Sequence, residues 1–323
     1  MPDIVTITFN PCIDKSCSID ALVPDRKLRC TDFVNEPGGG GVNVARAITK
    51  LGGEAHAIFL AGGYPGNLLQ QLLRGEGVPF IAIETDQDTR ENMMVTDRST
   101  GLQYRFVTAG NAIPEKYWKE CLDIVAGLDK LSYLVVSGSL QPGFPPDLFG
   151  RLARIASQKE ARLVLDVPPK SILDHPVTGA YLLKPNLGEL SMLAGKEQLT
   201  GTEIAGAARA LIAHNTAEVI LVSMGAAGAL LVTRENAEHF IAPPVKRVST
   251  VGAGDSMVAG TVLYLHEGKS LREAVRYGIA CGTAATLNTG TQLCTRGEAD
   301  QLYRYISDIP NLAYASGDIL LPF

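Results

Sequence analysis

Short apolar runs alternating with longer segments of helical period predict an α/β fold with a mostly parallel, doubly wound sheet at its centre. Strands are expected at 4–9, 55–61, 133–137, 162–167, 180–183, 218–223 and 229–233. Several are apolar almost without interruption, as strands covered on both faces must be. Helices are expected at 41–51, 66–74, 115–127, 146–158, 186–194, 202–214, 255–267, 271–287 and 297–307, where apolar residues recur three and four apart. Trp118, at helical spacing with Leu122 and Val125, is assigned to the core. Two stretches break the rhythm: 12–35 and 88–108 are polar, rich in β-formers and without helical period. They predict a small accessory sheet inserted into a single domain spanning 1–323. An apolar tail, 309–323, follows the last helix and is expected to pack on the surface or on a partner.

Composition narrows the function classes. With 46% hydrophobic and 20% charged residues, the 323-residue chain reads as an ordinary globular protein. A net charge of −5 leaves no basic excess to neutralise a nucleic-acid backbone. No apolar run approaches the roughly 18 residues of a membrane span. The N-terminus lacks a basic stretch ahead of an apolar core and reads as a strand, not a signal peptide. Six cysteines are scattered without a CxxC pair, so reduced thiols and a cytoplasmic location are expected.

The chemistry concentrates in glycine-rich turns. In Thr250-Val251-Gly252-Ala253-Gly254-Asp255-Ser256, two glycines one residue apart allow a tight turn into a helix. The unpaired N–H groups and positive dipole end of that helix would face an anion. Asp255 in the first turn can take a proton from an attacking hydroxyl. An anion cradle beside a base points to phosphoryl transfer to an alcohol; an ordinary Gly-rich turn with an acidic helix start is the alternative. Pro37-Gly38-Gly39-Gly40-Gly41-Val42-Asn43 opens another helix and permits close backbone approach to a ligand, with Asn43 available to hydroxyls; it does not complete GxGxxG. Gly268-Lys269-Ser270 is not a P-loop, because position 263 is Leu. Asn186 and Glu189 share a helix face, which suits either a hydrated Mg²⁺ or a capping pair. Ser223-Met224-Gly225-Ala226-Ala227-Gly228 is a nucleotide-phosphate turn or a hairpin. Asp14, Lys27, Arg90 and Arg105 lie in or beside the two inserted segments, where they can bind a sugar phosphate or simply face solvent.

Taken together and in this order, these motifs resemble the ribokinase-like (PfkB) carbohydrate kinases, over about residues 1–308. Gly38 to Asn43 resembles the family's N-terminal sugar-binding signature, 250–260 (TVGAGDSMVAG) its C-terminal signature, and Asn186–Glu189 its NxxE magnesium motif. Residues 8–14 (TFNPCID), 27–30, 36–47 and 137–143 (SGSLQPG) look most like the family's bacterial 6-phosphofructokinase branch. The resemblance implies a three-layer α/β/α ribokinase-like fold with a β-sheet lid that pairs between subunits of a homodimer. It implies ATP-dependent phosphorylation of fructose 6-phosphate at O1, with 1-phosphofructokinase or tagatose-6-phosphate kinase activity, or a non-catalytic sugar-phosphate sensor, as alternatives. It assigns Asp255 as base and the amides of Gly252, Ala253 and Gly254 as anion hole. Sugar binding falls to Asp14, Gly39, Gly40, Gly41 and Asn43, with Lys27, Arg90, Arg105 and Ser139 near the sugar or its phosphate. ATP would meet Lys184, Asn186, Ser223, Gly225, Gly228 and Thr283. Mg²⁺ would be supported by Glu189 and Asn186, and K⁺ by carbonyls of Ser249, Val251, Ala285, Asn288, Gly290 and Gln292. Relatives acting on fructose 1-phosphate or tagatose 6-phosphate usually carry lysine where this chain has Gly40. The tail 309–323 has no counterpart in the resemblance.

Overall fold

The computed structural model describes residues 3–288, 290 and 292–307, together with the backbone of 312–313. In chain order the strands are β1 (Ile4–Thr8), β2 (Cys12–Ile19), β3 (Thr31–Gly38), β4 (His56–Ala61), β5 (Phe80–Glu84), β6 (Arg90–Asp97), β7 (Gln103–Phe106), β8 (Tyr133–Ser137), β9 (Arg162–Asp166), β10 (Ala180–Leu183), β11 (Ala217–Ser223), β12 (Ala229–Val232), β13 (Ala237–Phe240) and β14 (Leu312–Ala313). Ten of them form one sheet, ordered β14-β13-β12-β11-β10-β9-β8-β1-β4-β5. The seven from β11 to β5 run parallel, and β12, β13 and β14 close one edge as an antiparallel meander.

The helices are α1 (Gly40–Lys50), α2 (Gly63–Gly75), α3 (Glu115–Ala126), α4 (Leu148–Gln158), α5 (Pro169–Asp174), α6 (Leu187–Leu193), α7 (Thr202–Ala213), α8 (Ala253–His266), α9 (Leu271–Ala285) and α10 (Arg296–Ser307). They cover both faces of the sheet, giving the expected three layers. The strand period of two decides the sorting. Ile4, Val135, Val164 and Leu182 join a core with α1, α8, α9 and α10, while Val5, Ile7, Leu134, Val136 and Leu165 join the opposite core with α3, α4 and α7. Trp118 lies in the second core, 4% exposed.

The two irregular stretches pair with one another, not with the main sheet. Their sheet has the order β3-β2-β6-β7, with β2 and β6 parallel and the flanking pairs antiparallel. Strand β3 runs past the expected boundary at 35 to Gly38, because Glu36, Pro37 and Gly38 stand opposite Asp14, Ile13 and Cys12. The lid therefore feeds directly into the glycine run that opens α1.

Three short elements lie where the sequence pattern marked none. Strand β5 is a half-exposed edge, β13 carries polar Glu238 and His239 in a four-residue strand, and α5 is too short to establish a helical period. Helix α8 begins at Ala253, earlier than expected, because Gly252 in the left-handed region turns the chain straight into it. Of the tail 309–323, only β14 belongs to the described residues; it pairs antiparallel with β13. Among the described residues, no helix is long and apolar enough to cross a membrane.

Candidate active site

The parallel strands deliver their carboxyl ends to one cleft, the place where open α/β sheets bind ligands. Asp166 ends β9, Lys184 follows β10, Ser137 ends β8 and Ser223 ends β11. Asp255 enters the same cleft from the first turn of α8. Gly252 caps that helix with φ 73°, and an added Cβ there would lie 2.6 Å from Leu293 Cδ2, so the turn requires glycine. The first intrahelical bond runs from Ser256 N–H to Gly252 O (2.9 Å), so the N–H groups of Ala253, Gly254 and Asp255 precede the ladder.

Charge is arranged tightly around this helix start. Lys184 Nζ lies 3.0 Å from Asp166 Oδ1, and 3.4 Å from where a Cβ on Gly254 would sit. Burial pulls the Lys184 pKa down, but Asp166, Glu189 and Asp255 outweigh it and raise the net value, so the ammonium stays charged. Asp255 Oδ2 accepts a hydrogen bond from Asn43 Nδ2 at 2.9 Å. Burial pushes the Asp255 carboxyl up to about 6, and the nearby Asp166 charge adds to the shift. Asn43, Lys184 and Ser137 pull the other way.

Helix α1 brings the second glycine run against the same strand ends. Val42 N–H donates to Thr8 Oγ1 at 2.7 Å, immediately after the last glycine of the run. A Cβ at Gly40 would overlap Ser137 Oγ and lie 2.6 Å from Gly138 N, so any side chain there displaces the end of β8. The resemblance-based contrast between glycine and lysine at position 40 thus has a steric basis in this chain.

The lid supplies a polar face. Asp14 stands opposite Glu36 on β3 and Asn92 on β6, and Met94 stands opposite Arg105 on β7. These residues line a cavity of ≈ 190 Å³ that reaches Val251 of the anion-hole turn. Asp14 Oδ1 accepts from Asn92 Nδ2 at 2.8 Å. Arg90 is tied to the protein: its guanidinium donates to the carbonyls of Asn10 (3.1 Å) and Thr108 (3.0 Å) and to Asn92 Oδ1 (3.1 Å). Ser139 Oγ accepts from Asn10 Nδ2 at 3.0 Å. Lys27 is exposed between β2 and β3 and makes no ion pair among the described residues. It is not among the residues that line the lid cavity or pair with Asp166, Lys184 or Asp255.

On the far side of the cleft, Asn186 and Ser223 form a backbone bridge. Asn186 and Glu189 form both halves of a capping box: Asn186 Oδ1 accepts from Glu189 N–H (2.9 Å) and Glu189 Oε2 from Asn186 N–H (2.8 Å). Burial raises the Glu189 pKa, with the Asn186 N–H and Lys184 opposing it. Gly225 opens a single 3-10 turn joining the antiparallel strands β11 and β12. A side chain at Gly228 would strike the Phe240 carbonyl, so the fold itself needs that glycine. Thr283 lies in the last turn of α9, half-exposed. The segments proposed around a cation are adjacent: Val248 N–H donates to Thr286 O (2.8 Å) and Ser249 Oγ to Gly290 O (3.1 Å).

Sequence reasoning missed Asp166, Ser137 and Asn92. Asp166 had a signal, a single acid closing the apolar run 162–167. Ser137 opened the SGSLQPG motif but was given no role there, and Asn92 had no signal, since only strand register places it. The Asp255 shift makes a stability prediction. Between pH about 4 and about 6 the folded chain holds a proton that the unfolded chain has released, so stability falls as pH rises through that window. Asp255→Asn should therefore raise the melting temperature at pH 8 and lose that advantage toward pH 4; a lower melting temperature at pH 8 would contradict the shift.

Comparison with known proteins places this geometry. The sequence pattern of the pfkB family of carbohydrate kinases matches residues 7–297. Over 308 residues the chain is 42% identical to the ATP-dependent 6-phosphofructokinase isozyme 2 of Escherichia coli, covering 95% of this chain and 100% of that protein. The protein of the same name from Mycobacterium tuberculosis is 41% identical over 308 residues, covering 95% and 91%. A crystal structure of phosphofructokinase-2 from Escherichia coli in complex with potassium superposes with a TM-score of 0.90 at 41% identity, covering 95% and 100%.

Proposed function

This chain belongs to the pfkB family of carbohydrate kinases, and from that premise we propose that it transfers the γ-phosphoryl group of ATP to O1 of fructose 6-phosphate, giving fructose 1,6-bisphosphate. The observation that carries the reading is Asp255, a carboxylate of raised pKa set in the first turn of a helix whose first amides precede its hydrogen-bond ladder. Asp255 takes the proton from the attacking hydroxyl. The N–H groups of Gly252, Ala253 and Gly254, at the positive end of α8, meet charge developing on the transferred phosphoryl oxygens. Lys184 adds a fixed cation beside them.

The sugar lies between the lid and α1, with Asp14, Gly39, Gly41 and Asn43 at its hydroxyls. Arg105, Ser139 and Lys27 serve the 6-phosphate. Arg90, bonded to backbone carbonyls, shapes that end of the site as well as contributing charge. ATP lies toward Asn186, Ser223, Gly225, Gly228 and Thr283. Lys27 reaches this chemistry only from a partner subunit. Exposed Phe33, Val34 and Leu102 on the lid supply an apolar surface for such a homodimer, which sedimentation velocity would detect. The whole chain then acts as one kinase domain with its lid inserted.

Among the described residues, no cluster of three or more His, Cys, Asp or Glu side chains surrounds a metal position. The donors present fit a hydrated Mg²⁺ carried on the ATP phosphates, which Asp166 and the second oxygen of Glu189 would hold through its water shell. The Asn186 oxygen is engaged in the cap and leaves its NH₂ for phosphate or water. When bound, Mg²⁺ neutralises phosphate charge. The carbonyls of Ser249, Val251, Ala285, Asn288, Gly290 and Gln292 offer neutral oxygens from adjacent segments, which suit K⁺; equal rates in K⁺ and in a bulky organic cation would contradict that site.

Steady-state kinetics with purified protein and Mg-ATP test the reading. Asp255→Asn should cut kcat by about 10²–10⁴. Substrates should rank with fructose 6-phosphate first and fructose 1-phosphate well below, because Gly40 offers no cation inside the sugar loop. A better rate on fructose 1-phosphate would favour 1-phosphofructokinase activity. Full turnover in Asp255→Asn would remove the base.

A further inference from the structure

Arg46 is 1% exposed and the largest fully buried side chain among the described residues, yet the reaction as read above gives it no part. It follows Asn43 by one turn of α1, so the two share a face. Its Nε and Nη2 grip both carboxylate oxygens of Glu76, the residue that caps the carboxyl end of α2, at 2.8 and 2.7 Å. Its Nη1 donates to two acceptors, Pro37 O at 2.8 Å and Asn43 Oδ1 at 3.1 Å. Asn43 in turn donates from Nδ2 to Asp255 Oδ2.

We infer that Arg46 is a positioning residue for the base, fixing the direction of the Asn43 amide and through it the carboxylate of Asp255. A guanidinium only donates and a carboxylate only accepts. The amide between them therefore has one favourable direction, with oxygen toward Arg46 and nitrogen toward Asp255. Reversed, it would set oxygen against carboxylate and NH₂ against guanidinium. The bidentate grip on Glu76 holds the guanidinium plane still, so the constraint arrives from outside the cleft. With Oδ2 tied to Asn43, the other Asp255 oxygen is left for the sugar hydroxyl. The Pro37 bond fixes the end of β3 to the same group, holding the start of the glycine run in register with the base.

The inference rests on Asp255 as base. Arg46→Lys tests it, since lysine keeps a positive charge beside Glu76 but cannot reproduce the fork. Measured on the full-length enzyme at a temperature where the variant stays folded, kcat should fall roughly tenfold. In an Asn43→Ala background, where no amide remains to be directed, the same substitution should change kcat by less than about twofold. Near-parental kcat in Arg46→Lys, or equal losses in both backgrounds, would make Arg46 merely structural and overturn the inference. Should Arg46→Lys not fold, Glu76→Gln, which loosens the grip, should show a smaller loss of kcat with the same dependence on Asn43; equal loss without Asn43 overturns it too. Undiminished turnover in Asp255→Asn would instead overturn the base reading underneath, whatever Arg46 does.

Discussion

One electrostatic conflict organises this molecule: two carboxylates, Asp166 and Asp255, are held in the same cleft and repel each other. Burial first, and the Asp166 charge second, hold the Asp255 carboxyl above its ordinary value. Lys184 answers Asp166 at 3.0 Å, and the amide of Asn43 answers Asp255 at 2.9 Å. The amino end of α8 adds partial positive charge where Asp255 sits. The result is a carboxylate neither buried and neutral nor freely ionised, with its pKa near the range where a base works at neutral pH.

The fold exists to make that meeting possible. Parallel strands β8, β9 and β10 end side by side, so residues far apart in sequence, Ser137, Asp166 and Lys184, arrive together. Two glycine-led helix starts then approach from above. At Gly252 the backbone must turn left-handed beside Leu293, and at Gly40 it must pass almost against Gly138. Side chains at either point would lift the helix from the strand ends and open the cleft. The lid contributes the remaining walls from its own sheet, which joins the main body through β3 and α1.

Much of this was legible in the sequence, and the reasons differ by element. Continuous apolar runs marked the buried strands, and polar β-forming stretches marked the lid. Glycine spacing marked both helix starts. Asn186 and Glu189 were visible as a pair, and the structure gives them a reciprocal cap. What stayed hidden depends on register or on non-local bonds. Nothing local distinguishes Asn92 from a surface asparagine until β6 pairs with β2 and sets it opposite Asp14. Arg46 reads as one polar position on a helix until α2 brings Glu76 to it. Strands β5 and β13 were missed because an edge and a short polar strand lose the alternation that marks burial.

The dependence of kcat/KM for fructose 6-phosphate on pH, which reports the base before the sugar binds, probes the central claim most directly. If phosphoryl transfer waits on the ionised form of Asp255, kcat/KM should rise through an acid limb with its midpoint near pH 6, where burial and Asp166 place this group. A kcat/KM that stays flat from pH 7 down to pH 5 would contradict the account, because a base protonated over that range could not sustain the rate.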